Sequence, residues 1–209
     1  MFITVEGIDG SGKTTAMSTI IDYFINRGDF PIRTKEPIEP IRSLVMDSKA
    51  NWCNDAQLFL YMADRMQHFK DTIEPSRYLP NTYVISDRGI DSTYAYQIYA
   101  NENYKAIHWL NQFIDDNKFI IPDLTIFLNI DPQIALARAK ERNTKNKDTN
   151  SYFENKGIEY FYRVHHGFLN CIKADPNRFI MINANQSEQD IAYDIVEALT
   201  NRLVQMGNR

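Results

Sequence analysis

The stretch Glu6-Gly7-Ile8-Asp9-Gly10-Ser11-Gly12-Lys13-Thr14-Thr15, "EGIDGSGKTT", puts three glycines, a lysine and two threonines directly after the run Met1-Phe2-Ile3-Thr4-Val5. From Gly7 it reads glycine, four residues, glycine, lysine, threonine. The apolar-periodic residues Ala16, Met17, Ile20, Ile21, Phe24 and Ile25 follow and predict a helix opening near Gly12. Strand, glycine-rich loop and helix in this order make a nest of inward-pointing N–H groups at a helix N-terminus, which suits a polyphosphate. Gly7, Asp9, Gly10, Ser11, Gly12, Lys13, Thr14 and Thr15 are the candidate nucleotide-binding residues. Lys13 would reach the β- and γ-phosphates, and the Thr14 hydroxyl would ligate Mg2+. The competing reading is a glycine-rich turn without a ligand.

Working outward, 209 residues suffice for one α/β domain with a full core and are too few to expect two, so a single domain over 1–209 is expected. Apolar residues make up 44%, an ordinary share for a globular protein, and the net charge is −4. That charge gives no broad basic surface, so no nucleic-acid partner is expected and any phosphate site is local. No segment approaches the run of about 18 apolar residues that a membrane span needs. The chain begins in a strand with no charged-then-apolar leader, and a cytoplasmic location is the expectation. Cys53 and Cys171 read as free thiols. His165 and His166 are neighbours that a helix would turn about 100° apart, so solvated or capping roles are expected, as for the lone His68 and His108.

Four further segments have strand character: Phe30 to Thr34, Thr82 to Ser86, Leu124 to Ile130 and Arg178 to Asn183. Helix-length patterns separate them, which implies a five-stranded parallel sheet with helices on both faces, the three-layer sandwich of the P-loop NTPases. One helix is predicted from about Asp55 to Asp71, with Phe59, Met62, Ala63, Met66 and Phe69 as its buried stripe and Tyr61 and Arg65 on another face. The last helix starts at Ser187, where Ser187 and Asp190 resemble a capping box, and runs to about Met206. Between helices predicted at Pro132 to about Arg142 and Tyr160 to Ile172 lies "KERNTKNKDTNS", Lys140 to Ser151, without one apolar side chain. A solvated connection and a mobile lid, spanning about 140–154, are both open readings.

Ligands of parallel sheets sit beyond the carboxyl ends of the strands. There, Tyr83-Val84-Ile85-Ser86 ends in Asp87-Arg88, an acid able to hold a magnesium shell beside a guanidinium able to clamp a phosphate. Thr34-Lys35-Glu36-Pro37 ends another strand in a cluster of charge. With these residues in view, the chain resembles the thymidylate kinases, which phosphorylate dTMP with ATP. The likeness rests on "EGIDGSGKTT", "TKEP", "LFLYMADRMQH", "SDRGIDSTYAYQ" and "PDLTIFLNIDPQIALARAKER", spread from residue 6 to about 142.

The resemblance implies a stacking role for Tyr61 against thymine and a base-carbonyl contact for Arg65. It implies that Gln97, with Thr93 beside it, reads the base edge, and that Tyr96 packs under the sugar. Asp9 would lie near the 3′-hydroxyl and Mg2+, with Thr14 and Asp87 as the other metal residues. Glu36 and Pro37 would lie near the transferring phosphate, Arg42 and Arg88 on the acceptor phosphate, and Arg138 and Arg142 at the donor ATP. Lys13, Asp9, Arg88 and Arg142 are then the catalytic set, and a homodimer is implied. The chain departs from the family pattern at Ile38-Glu39, at Gly89 after the aspartate-arginine pair, and at Ser151-Tyr152-Phe153-Glu154, where the family's lid arginine is missing. Two other readings remain at this point. One is a deoxynucleoside kinase, or a kinase for another pyrimidine monophosphate. The other is a nucleotide-binding switch without transferase activity.

Overall fold

A computed structural model describes residues 1–47, 50–146 and 156–207. Five strands form one sheet in the order β2-β3-β1-β4-β5: β1 Phe2–Glu6, β2 Phe30–Lys35, β3 Thr82–Asp87, β4 Leu124–Asn129 and β5 Phe179–Asn183. Every pairing is parallel. All of β1 is buried, as are Leu124 to Leu128 of β4, so the inner sheet is covered on both faces.

The helices are α1 Lys13–Asn26, α2 Ile41–Met46, α3 Asn54–His68, α4 from Ile90–Ser92 onward, α5 Ile107–Asp116, α6 Pro132–Asn146, α7 Ile158–Ala174 and α8 Glu188–Gly207. The helical chain of α3 continues through a π turn, Phe69–Ile73, and a last turn, Glu74–Arg77, beyond the predicted end at Asp71. After Ser92, α4 becomes a π-helix over Thr93–Ala100. In α1, Ala16, Met17, Ile20 and Phe24 are buried while Ile25 is exposed. At α8 the Asp190 amide donates to Ser187 Oγ at 3.2 Å, which forms the backbone half of the expected box.

Two clusters hold the layers. The larger joins Ile3 and Val5 of β1 to Met17, Phe24, Phe168 and Leu199, and the smaller joins Phe2 to Leu58, Val84, Ile98 and Leu110. The stripe expected on α3 needs correction. Phe59 and Ala63 are exposed, and the buried positions are Leu58, Met62, Asp64, Arg65, His68 and Phe69. Phe59 instead lies against Trp109 at 5.6 Å between ring centres, on the surface. The polar half of α3 turns inward because it meets the chain leaving β2.

Among the described residues, no helix is long and apolar enough to cross a membrane. The polar segment after Lys140 stays helical to Asn146, and the rest of the expected lid, with Lys147, lies outside the described residues.

Candidate active site

Parallel register aligns Val5 with Asp87 and Lys35 with Asp87, so the loops leaving β1, β2 and β3 open side by side. Between β1 and α1 the chain turns back tightly. A Cβ on Gly10 would stand 2.1 Å from the Ala135 carbonyl oxygen, and its φ of +88° lies in the left-handed region. Gly12, at φ +93°, caps α1. Lys13 folds over this loop, and its ammonium donates to the carbonyls of Gly7 at 3.0 Å and Ile8 at 3.3 Å.

Above the loop stands an ion pair. Arg88 Nη2 donates to Asp9 Oδ1 at 2.7 Å, and the Tyr96 hydroxyl donates to Asp9 Oδ2 at 3.1 Å. The guanidinium lies 4.8 Å over the Tyr96 ring. Burial alone would raise the Asp9 carboxyl, but Arg88, Lys13 and the Tyr96 hydroxyl outweigh it and hold the group below its usual range. Arg88 itself has φ +76°, so β3 ends in a strained, sharp turn. Glu6, fully buried beneath that turn, accepts from the Gly89 amide at 2.7 Å, the Ser92 amide at 3.2 Å and the Ser92 hydroxyl at 2.6 Å. It acts as a carboxyl cap for α4.

The π-helical stretch of α4 carries Thr93, Tyr96 and Gln97, which are respectively 1%, 5% and 3% exposed. From α3, Arg65 reaches the same space. Its Nε and Nη2 donate to Glu36 Oε2 at 2.9 and 2.6 Å, Nη1 to Thr93 Oγ1 at 2.7 Å, and Nη2 also to the Gly89 carbonyl at 2.7 Å. Burial would raise Glu36, yet Arg65 and His68 hold it below the usual range.

A cleft of about 710 Å³ joins these groups. Asp9, Gly10, Gly12, Lys13, Thr14 and Arg142 line it, as do Glu36, Pro37, Arg42, Tyr61, Arg65, Asp87, Arg88, Thr93, Tyr96 and Gln97. Four candidates stand back from it. Gly7 and Ser11 form the floor of the loop, Thr15 is exposed on α1, and Arg138 Nη1 donates to the Ala184 carbonyl at 3.2 Å.

The sequence reading missed several groups. Glu39, Ser43, Met46, Asp47 and Ser92 also line the cleft. His68, expected to be solvated or capping, is fully buried between Thr34 and Glu36, because the inward face of α3 meets the end of β2. Its spacing of three from Arg65 and four from Asp64 carried that signal. His165 Nε2 pairs with Asn129 Oδ1 at 2.7 Å, and exposed His108 pairs with the Lys105 carbonyl.

Comparison with known proteins shows the family. The family model described as thymidylate kinase matches residues 5–195. The thymidylate kinase of Desulfosudis oleivorans is 34% identical over 208 residues, covering 95% of this chain and 96% of its own. That of Hahella chejuensis is 32% identical, covering 97% of both chains. The crystal structure of thymidylate kinase from Ehrlichia chaffeensis matches with a TM-score of 0.71 at 27% identity, over 96% of this chain and 98% of that one. The P-loop fold is thereby shared with a solved enzyme of this kind, and the chain belongs to the thymidylate kinase family.

Proposed function

We infer that this chain transfers the γ-phosphoryl group of ATP to the phosphate of dTMP, giving ADP and dTDP. The observation that carries the reading is the continuity of one cleft from the Lys13 loop to Arg65, Thr93 and Gln97, so that donor and acceptor phosphates can meet in line. An acceptor phosphate oxygen forms the new bond to the γ-phosphorus while the bond from that phosphorus to the β,γ-bridging oxygen breaks. The acceptor is already ionised near neutral pH, so no residue need take a proton. Lys13, Arg88 and Arg142 offset charge on the transferring group, with Arg42 and Arg88 toward the acceptor. Tyr61 stacks on the base, and Gln97 reads its edge.

Glu36 speaks against a nucleoside kinase. Such an enzyme needs a carboxylate free to deprotonate a hydroxyl, whereas Oε2 of Glu36 takes Arg65 and Oε1 takes His68 at 2.8 Å.

Mg2+ fits the donor side. Asp87 Oδ1 is buried without a hydrogen-bond partner among the described residues, and Thr14 supplies a hydroxyl at the same cleft. Hard oxygen donors, few in number, suit a magnesium ion that takes its remaining ligands from phosphate and water. Thr14 and Asp87 would hold the ion, which would neutralise charge on the donor phosphates. Asp9, with both oxygens already engaged, is the weaker third ligand. The reading includes one folding unit over 1–209, a lid at about 140–154, a cytoplasmic location and a homodimer, the last readable by sedimentation velocity. ADP release with a panel of acceptors, ATP and Mg2+ tests the core of it. We expect dTMP to exceed thymidine and the other monophosphates by roughly tenfold or more in kcat/KM, and turnover to vanish on chelation. Faster turnover of thymidine, or ADP release indifferent to acceptor, would overturn it.

A further inference from the structure

Leaving β2, the chain presents every second residue, Thr34, Glu36 and Ile38, to the face of α3 that carries Asp64, Arg65 and His68. Asp64 Oδ1 accepts the Ile38 amide at 2.7 Å. His68 Nε2 meets Thr34 Oγ1 at 2.7 Å, and its Nδ1 meets Glu36 Oε1 at 2.8 Å. The imidazole is fully buried, so these two contacts define what it does.

An ionised Glu36 can only accept, so Nδ1 of His68 carries a proton, and Nε2 meets the Thr34 hydroxyl, which can donate or accept. Glu36 Oε1 is thereby engaged. The preferred pairing of a guanidinium with a carboxylate is a two-oxygen fork. Here Arg65 places both Nε and Nη2 on Oε2 alone, at 2.9 and 2.6 Å, and its remaining edge turns to Thr93 Oγ1 and the Gly89 carbonyl. Were Oε1 released, the guanidinium could slide into the fork and rotate away from Thr93.

We propose that His68 is a positioning residue for the acceptor half of the cleft: by withholding Glu36 Oε1 it fixes the Arg65 guanidinium toward Thr93. This rests on the reading of that half as the dTMP site. It assigns a role in the reaction to a side chain that does not line the cleft.

The test compares three replacements. Asn at 68 can set its amide nitrogen where Nδ1 stands, keeping the Glu36 contact and losing Thr34. Gln reaches the Nε2 position, keeping Thr34 and losing Glu36. Leu keeps similar volume and loses both. His68→Gln and His68→Leu are expected to raise the KM for dTMP roughly tenfold, the loss of a buried hydrogen bond to a charged group. The KM for ATP should change less than about twofold, and His68→Asn should stay near wild type. In a Glu36→Gln background, His68→Leu should add little, since the pair acts as one unit. Equal dTMP constants for the Asn and Gln variants, or a full His68→Leu effect in the Glu36→Gln background, would overturn the proposal. So would failure of His68→Asn to fold, because it retains the contact said to matter. Wild-type assays with other deoxynucleoside monophosphates separate the two levels. If another acceptor is preferred, the dTMP reading fails, and the Asn–Gln contrast measured on that acceptor still decides the role of His68.

Discussion

The Lys13 ammonium rests on carbonyl oxygens of its own loop, those of Gly7 and Ile8, at 3.0 and 3.3 Å. Burial and then Arg88 push its pKa down, while Asp9, Asp87 and Glu6 push it up, and the net direction is downward. A phosphate arriving above the loop adds negative charge next to a cation that is already in place and largely desolvated. Interactions of that kind act mainly in the transition state. Lys13→Ala should therefore lower kcat by roughly 10²–10³ or more, while the thermal midpoint moves by only a few degrees. Single-turnover rates and a melting curve check both halves, and near-normal turnover in a folded variant would sink the phosphate-loop assignment. Lys13 and Arg88 were readable as candidates because motif spacing ties them to a loop or a strand end, whereas Thr93 entered only through the family resemblance. Glu6, Asp64 and His68 were not readable. Pattern reading turns polar residues outward, and their partners, such as Gly89 for Glu6, lie far along the chain.

At the scale of elements, α4 and α7 show how packing sets the wall of the cleft that carries Thr93, Tyr96 and Gln97. Gly167 of α7 faces α4 so closely that a Cβ there would stand 2.7 Å from Ala95 Cα and 3.0 Å from Tyr99 Cβ. The π-helical stretch that Gly167 touches is the one bearing Thr93, Tyr96 and Gln97. Replacing a helical glycine ordinarily gains about 0.5–1 kcal/mol over the helix interior, whereas overpacking costs about 1–3 kcal/mol. Valine forfeits most of the gain through its branched Cβ, so the clash decides. Gly167→Val should lower stability by about 2 kcal/mol and raise the dTMP KM more than the ATP KM, read by denaturant melts and steady-state kinetics. An unchanged denaturation midpoint would mean that α7 can move freely from α4. The strands were legible because β1, β3 and β4 are short β-rich runs closed by charge or turn residues, and the structure ends them within a residue of the expected bounds. The α3 stripe was misjudged because apolar periodicity cannot weigh a buried ionic cluster. The π turns have no signal in a 3.6-residue pattern at all.

For the molecule as a whole, a buried cluster of charge ties β1, α4 and the entry to β5 together. Arg178, just before β5, forks Asp91 of α4 at 2.8 and 2.8 Å, and Asp91 in turn faces Glu6. Burial first, and then the Asp91 charge, push the Glu6 carboxyl from 4.5 to about 8, although Ser92, Arg88 and the Gly89 amide pull the other way. Oε1 accepts two amides and Oε2 accepts from Ser92 Oγ at 2.6 Å; these three donors favour the carboxylate, and burial beside Asp91 outweighs them. The sign of the linkage follows. The folded state holds a proton that the unfolded chain releases near pH 4.5, so this contribution is present below that pH and is lost as pH rises through about 8. Between pH 6.5 and 8 the wild-type protein should lose up to about 1 kcal/mol per pH unit from this group. His165 and the Met1 ammonium, both lowered by burial from 6.5 and 8.0, add stability as pH rises, the second within this window, so the contribution of Glu6 is read from the difference between wild type and Glu6→Gln. Glu6→Gln copies the neutral acid, with the amide oxygen accepting from Gly89 and Ser92 and the amide nitrogen donating to Ser92 Oγ. The variant should match wild type only below about pH 4.5, already exceed it at pH 6 and exceed it further at pH 8, flattening the curve of urea stability against pH. A variant as steeply pH-dependent as wild type, or markedly weaker at pH 6, would show that Glu6 holds α4 as a carboxylate and that the three donors outweigh its burial.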